Sequence, residues 1–306
     1  IEVQRRFFRN QERSLWQYIA PTANGWVHRF GELRGIKGIR PQKQLEIMPY
    51  LVSKAETFQK EEGNPFRTGE SYDLAAGVDA KIGITSDITL DLTVNPDFGQ
   101  VEADPSQVNL TAFELFFREQ RPFFIEGANI LNFPISSNGP NNLFYSRRIG
   151  RSPQGSVTMG PNDFSKQDSR TTILGAAKLT GKNHKGFSWG VLESVTQEEK
   201  ATIDHGGERS AQTVEPLTNY FVARAQQDIN KGNTIVGGMF TAVNRRINDA
   251  NLNFLHKEAY SGGVDVVHHW KDRKFYVSGQ FFGSYVQGSK EAITASGTKF
   301  VGQTEH

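Results

Sequence analysis

Asp73-Leu74-Ala75-Ala76-Gly77-Val78-Asp79-Ala80-Lys81-Ile82-Gly83-Ile84, then Thr85-Ser86, then Asp87-Ile88-Thr89-Leu90-Asp91-Leu92-Thr93-Val94 is the stretch that decides the fold class. Leu74, Ala76, Val78, Ala80, Ile82 and Ile84 fall on one face; Asp73, Ala75, Gly77, Asp79, Lys81 and Gly83 fall on the other. Beyond the tight Thr85-Ser86 link, Ile88, Leu90, Leu92 and Val94 alternate with Asp87, Thr89, Asp91 and Thr93. A period of two belongs to a strand, because a helix returns its apolar residues every three or four positions.

Working outward, alternation marks further strand candidates over 44–54, 172–181, 186–196, 218–228, 259–270 and 273–286, with a Gly-rich, weakly patterned one over 233–244 and a last one over 292–302. Most run roughly 10–14 residues, enough for the ~9–11 that a tilted strand needs to cross a hydrocarbon layer. Strands of soluble sheets average about 5–6. The links carry a second pattern. Short ones at 85–86, 182–185, 229–232 and 271–272 take turns with long ones at 55–72, 96–171, 197–217 and 245–258. Short turns on one side and long loops on the other are the plan of an outer-membrane barrel.

The expected fold is therefore all-β: an antiparallel transmembrane β-barrel of a bacterial outer membrane, with a long inserted loop or plug carrying a short helix. Residues 1–43 read as a periplasmic linker, with nine Lys/Arg against three Asp/Glu. Residues 44–306 read as the barrel domain, with 95–151 as its insertion. The sequence ends Gly302-Gln303-Thr304-Glu305-His306, without the terminal aromatic that commonly closes such barrels, so further strands are expected and closure by these residues alone is not.

Composition agrees without deciding. Mean hydropathy is −0.52, which reads as soluble, but a membrane barrel exposes apolar side chains at alternate positions only and keeps a hydrophilic average. Thirty glycines and 22 phenylalanines suit crowded strand positions and interfacial girdles. The absence of cysteine excludes disulfides, thiolate catalysis and Cys-ligated metals. No run of about 18 apolar residues is present to make a transmembrane helix.

The insertion is acidic, then aromatic, then basic. Asp97, Glu102, Asp104 and Glu114 lead into Phe113, Phe116, Phe117, Phe123 and Phe124, and Arg147, Arg148 and Arg151 follow. Such closely spaced aromatics belong under cover. Two readings stand: a cap on the barrel mouth, or a segment folded into the lumen. In the second, Asp97, Glu102, Asp104, Glu114, Glu119 and Glu126 face Arg121, Arg147, Arg148 and Arg151 across a narrow passage and select polar solutes. A short helix is expected over 106–117, ended before Pro122, which also holds Arg121 extended.

The stretch Asn95–Asp104, continuing through Asn109-Leu110-Thr111-Ala112-Phe113-Glu114 to Arg121-Pro122-Phe123-Phe124-Ile125-Glu126-Gly127, resembles the signature of an uncharacterised bacterial outer-membrane β-barrel family. Phe144-Tyr145-Ser146-Arg147-Arg148-Ile149-Gly150 and Gly25-Trp26-Val27-His28-Arg29-Phe30-Gly31 fit the same pattern, and the resemblance covers about residues 1–196. Members of that family carry this region after a module similar to family 9 carbohydrate-binding modules. The resemblance implies an outer-membrane location, and carries over no reaction.

The sequence carries few motifs of known chemistry. Gly69-Glu70-Ser71-Tyr72-Asp73 lacks the second glycine of a nucleophile elbow. Gly31, Gly35 and Gly38 are not spaced as a phosphate loop. His268 and His269 point to opposite faces of one strand, which suits a girdle and the lumen better than one metal. Asp97, Glu102 and Asp104 offer oxygens to Ca²⁺, but no glycine sits where a calcium loop demands it. The expectations are no cofactor, no catalytic residue and no nucleic-acid partner. The favoured function is a channel or transport-related barrel for small polar solutes such as saccharides or peptides. Its partners would be membrane lipid and lipopolysaccharide, and protein partners in an outer-membrane complex fit the alternative of a non-conducting binding or scaffold barrel. A membrane-embedded hydrolase is the third reading, since two carboxylates suffice for glycoside hydrolysis.

Overall fold

The computed structural model of the chain describes residues 1–20, 27–35, 37–38, 44–96, 116–135 and 142–297. Nine long strands make one antiparallel sheet: β3 (Leu45–Thr57), β4 (Glu70–Gly83), β5 (Ile88–Val94), β7 (Ile173–Lys182), β8 (Phe187–Thr196), β11 (Thr218–Ile229), β12 (Thr234–Arg245), β13 (His256–Trp270) and β14 (Phe275–Gly288). Their order is β14-β13-β12-β11-β8-β7-β5-β4-β3, so every strand pairs with the neighbour that precedes or follows it in this set. Among the described residues β3 and β14 are edges and the ring does not close.

Four-residue links at 84–87, 183–186, 230–233 and 271–274 join strands at one end of the sheet, and the long links all lie at the other. Two of the short links turn through runs of left-handed backbone, with φ of 54° at Asn230, 59° at Lys231 and 78° at Gly232, and 49–62° over Lys271, Asp272 and Arg273. The link over 197–217 is itself a hairpin, β9 (Glu199–His205) and β10 (Glu208–Glu215), prolonging the β8/β11 pair. β6 (Asp163–Lys166) adds a third strand to it. A separate hairpin near the start pairs β1 (Gln4–Phe7) with β2 (Glu12–Leu15).

The register gives the two faces different chemistry. One face collects Leu45, Ile47 and Leu51 from β3, Leu74, Val78 and Ile82 from β4, and Leu90 and Leu92 from β5. It continues through Leu179, Val191 and Phe221 to Phe240, Val264 and Phe281. Leu51 is 70%, Val264 58% and Phe281 77% exposed. The opposite face carries Asp91, Thr93, Lys178, Ser194 and Arg224, all of them buried. Polar residues are covered here and apolar ones are bare, the reverse of a soluble sheet.

The cover is formed by residues 116–135 and 142–151, together the segment 116–151 as far as it is described. Phe123, Phe124, Leu131, Phe133 and Ile149 form one core with Ile173, Ala176, Leu192, Tyr220, Val222 and Met239 of the sheet. Phe133 is fully buried, and its ring sits where a Cβ on Gly263 would be, 2.8 Å from its Cζ. Gly190 likewise leaves room for Leu131 and Ile130, at 3.0 and 3.1 Å from such a Cβ. Of the aromatic run that had to be buried somewhere, Phe123 and Phe124 are buried against the inner face of their own sheet, Phe116 and Phe117 are half-buried, and Phe113 lies outside the described residues.

Two local expectations are corrected. Residues 292–302 were expected to extend as a strand; the chain instead enters a helix, Lys290–Gly297. The Ser289 hydroxyl accepts a hydrogen bond from the Ala292 amide (3.0 Å) and donates one to the Asn253 carbonyl (2.5 Å), so it caps the helix and ties it to the link between β12 and β13. In the insertion, the helix expected over 106–117 lies outside the described residues up to 115. The helix observed is one turn, Pro122–Ile125, which Pro122 opens rather than blocks. Proline at the first helical position loses no hydrogen bond, and Arg121 before it is extended (φ −73°, ψ 123°), as a residue preceding proline must be.

Candidate functional site

The site is the interface between the segment 116–151 and the polar face of the sheet. At its centre stands Lys178, 1% exposed, between Ala177 and Leu179 on β7. Its Nζ lies 3.3 Å from an Asp91 oxygen. It donates to the Phe123 carbonyl and, at 2.6 Å, to the Glu126 carbonyl. A lysine buried on a sheet is tolerable only with this many partners, and two of them belong to the segment. Glu126 in turn accepts from Lys81 Nζ at 2.5 Å. Nearby, Thr93 Oγ1 donates to Asp79 at 2.5 Å.

Within the segment, Arg121 is the hub. Nε and Nη2 donate to the two Glu119 oxygens at 2.8 and 2.7 Å, while Nη1 reaches the Ile149 carbonyl at 2.7 Å and Nη2 the Ser146 carbonyl at 3.0 Å. The guanidinium also lies over the Phe124 ring at 4.1 Å. Burial works against the charge on Glu119, but the Arg121 and Ser146 bonds outweigh it and hold the carboxyl below its ordinary range. Arg147 Nη1 donates to the Arg118 carbonyl at 2.7 Å. This network fastens 117–121 to 145–149 and makes the segment a folded body.

Further along the sheet, Arg224 of β11 forms a two-pronged pair with Asp265 of β13, at 2.8 and 3.0 Å, beneath the Phe133 ring at 5.1 Å. Gly237 between them keeps the fork open, since its Cβ would meet Asp265 Oδ1 at 2.9 Å and Arg224 Nη2 at 3.1 Å. Cavities remain between segment and sheet among the described residues. One, about 370 Å³, has Glu119, Asn129, Asn132, Asn142, Ser146 and Lys178 among its lining. Another, about 140 Å³, lies toward the long-link end between Phe144, Tyr145, Tyr220 and Val243, and takes Arg148, Arg151 and Arg245 into its wall. Burial, then the neighbouring Arg245 and Arg148 charges, lower the Arg151 pKa, with Glu215 acting the other way.

Of the residues expected to line a passage, Asp97, Glu102, Asp104 and Glu114 lie outside the described residues. Glu119 and Arg121 bond each other along the segment; Glu126 faces Lys81 on the sheet; Arg148 and Arg151 gather with Arg245. Lys178, Asp91, Arg224, Asp265 and Arg245 were not singled out by sequence. Their signal was parity alone: each is a charge at an inward position of an alternating strand. His268 stacks on Trp270 at 5.9 Å on the outer face, and His269 lies beside Tyr276 at 5.8 Å. No group of three metal-binding side chains gathers among the described residues.

No curated protein and no solved structure matches the chain. A family model does, over residues 41–305, reaching well past the 1–196 that the motif resemblance covered. With a match over most of its length, the chain belongs to the family described as a domain of unknown function, DUF5916.

Proposed function

We propose that the nine-stranded sheet is wall, and the segment 116–151 plug, of an outer-membrane β-barrel that passes small polar solutes such as saccharides or peptides. The observation that carries this reading is the inverted burial of the sheet, bare apolar residues outside and buried charges inside. A contiguous apolar surface of this extent needs lipid or a second protein layer, and among the described residues the helix and small sheets do not cover it.

Aromatic rows support lipid. Phe221, Phe240, Tyr260 and Tyr285 follow one another across four strands near the long-link end, at 6.3–6.5 Å between centroids. His268, Trp270 and Phe275 stack near the short-turn end. From Tyr260 to Trp270 the strand runs ~33 Å at ~3.3 Å per residue, or about 25 Å when tilted ~40°, the height of the apolar band of such barrels. With short turns on the periplasmic side, the start of the chain lies in the periplasm. The motif resemblance to an outer-membrane family accompanied by a carbohydrate-binding-like module agrees with a saccharide solute.

Full-length protein extracted in detergent should migrate as a compact form on gels until boiled, because a closed ring pairs every backbone group. Folded protein that stays soluble without detergent would remove the reading. Planar-bilayer conductance should be low in the full-length protein and rise when 116–151 is deleted. A second reading, a non-conducting binding or scaffold barrel, is favoured by the number of buried bonds that Lys178 and Arg121 give the plug. It predicts silence in both bilayer experiments and stoichiometric partners after mild extraction.

A further inference from the structure

We propose that Asp163, His205 and Ser210, gathered on the small three-stranded sheet at the long-link end, make a nucleophilic site that hydrolyses carboxylic esters. Each comes from a different strand: Asp163 from β6, His205 from β9 and Ser210 from β10. The register brings them together. Asp163 lies opposite His205, His205 lies opposite Glu208, and Ser210 is two residues beyond Glu208, so all share one face. His205 Nδ1 is 3.0 Å from Asp163 Oδ2, and Nε2 is 3.2 Å from Ser210 Oγ. Both ring nitrogens are thus placed as a serine nucleophile needs them. The carboxylate holds the ring proton on Nδ1, which leaves Nε2 to take the proton of the hydroxyl.

Asp163 is itself positioned. Its Oδ2 accepts from the Gly160 amide at 2.7 Å, and that bond, then the His205 ring, hold the carboxyl below its ordinary range. Ser210 and His205 are exposed, so a substrate reaches both without displacing any part of the fold. β10 is an outer strand of its sheet, and among the described residues no backbone group pairs with its outer edge over 208–211. An open edge presents N–H donors beside Ser210, which a developing oxyanion needs. Ser210 Oγ bonds to the acyl carbon as its proton passes to His205 Nε2; the ester C–O bond breaks, and the departing alkoxide takes that proton. Water then attacks the acyl-serine, giving its proton through Nε2 to Ser210 Oγ and releasing the carboxylic acid. Esters are the substrates because an alkoxide leaves more readily than an amine, and an open site supplies little further help.

The test treats detergent-extracted full-length protein with a fluorophosphonate and follows hydrolysis of p-nitrophenyl acetate. The fluorophosphonate should form a covalent adduct that peptide mass mapping places on Ser210, and should stop ester turnover. Ser210→Ala should lose both, and His205→Gln should slow both by about a hundredfold or more. Asp163→Asn should slow turnover about tenfold or more with KM unchanged, and Asp163→Glu should recover part of it. Each variant must keep the circular dichroism of the parent; if Ser210→Ala does not fold, the adduct map of the parent decides. No adduct on the folded parent, an adduct on a different residue, or turnover unchanged in folded Ser210→Ala overturns the proposal. Adduct and turnover in a protein that stays soluble without detergent leave this site standing and remove the barrel reading.

Discussion

The middle of the sheet and its two flanks share one outer face but differ on the inner one. Over β5, β7, β8, β11 and β12 the inner face carries buried charges beside the apolar core that the plug covers, with Lys178 at 1% and Arg224 at 4% exposure. On β14 nearly every residue is exposed on both faces, and Glu46 and Met48 of β3 are exposed as well. The outer face does not change between these regions. The plug therefore organises the middle and leaves the flanks to other contacts, and the charges at the centre are bound to it by position and by hydrogen bonds.

The largest expected effect breaks that contrast at Lys178. Lys178→Ala leaves Asp91 and two plug carbonyls unpaired, and should cost about 3–5 kcal/mol. Lys54→Ala, in the exposed Lys54–Glu56 pair of the flank (3.0 Å), should cost at most about 0.5 kcal/mol. Thermal loss of the unboiled gel form measures both, and equal shifts would show that the plug does not fasten the centre.

Next is the shared outer face. If it meets lipid, Val264→Arg near mid-height should destabilise by roughly 2–4 kcal/mol, while Phe275→Arg at the short-turn end should cost no more than ~1. A water-facing sheet would tolerate both, so a flat response in detergent titrations argues against the membrane reading.

The plug contact itself is sharpened by glycine. Gly263→Val drives a side chain into Phe133 and backbone, and should cost about 1–3 kcal/mol. Gly283→Val on β14, where an added Cβ meets nothing within 4 Å, should be close to neutral. Hydrogen exchange over 116–135 should quicken in the first variant alone.

The smallest effect is a pH dependence. The Glu119 carboxyl sits below its ordinary range, so its stabilisation of the plug is full above the ordinary glutamate value and fades as pH falls through the lowered one. Protease access to 116–151 should rise on acidification into that range, and Glu119→Gln should flatten the dependence. Access that rises with increasing pH instead would contradict the sign.

Much of this was legible in advance. Nine of the strands, the alternation of short and long links and the burial of Phe123 and Phe124 followed from parity and from the apolar load. The helix Lys290–Gly297 was misread because an apolar stretch of that length fits either period, and the Ser289 cap that decides it relies on Asn253, far back in the sequence.

Sequence by itself determined the two faces of the nine long strands, since alternation is a local property of the extended backbone, while the short strands β1, β2, β6, β9 and β10 fell in stretches read as links. It also determined that the insertion had to be covered. Only the tertiary structure decided what covers it, because Lys178 meets Phe123 and Glu126 across more than fifty residues, and Arg245 joins Arg151 across more than ninety. Contacts of that separation are fixed by register and packing together, and no residue pattern along the chain records them.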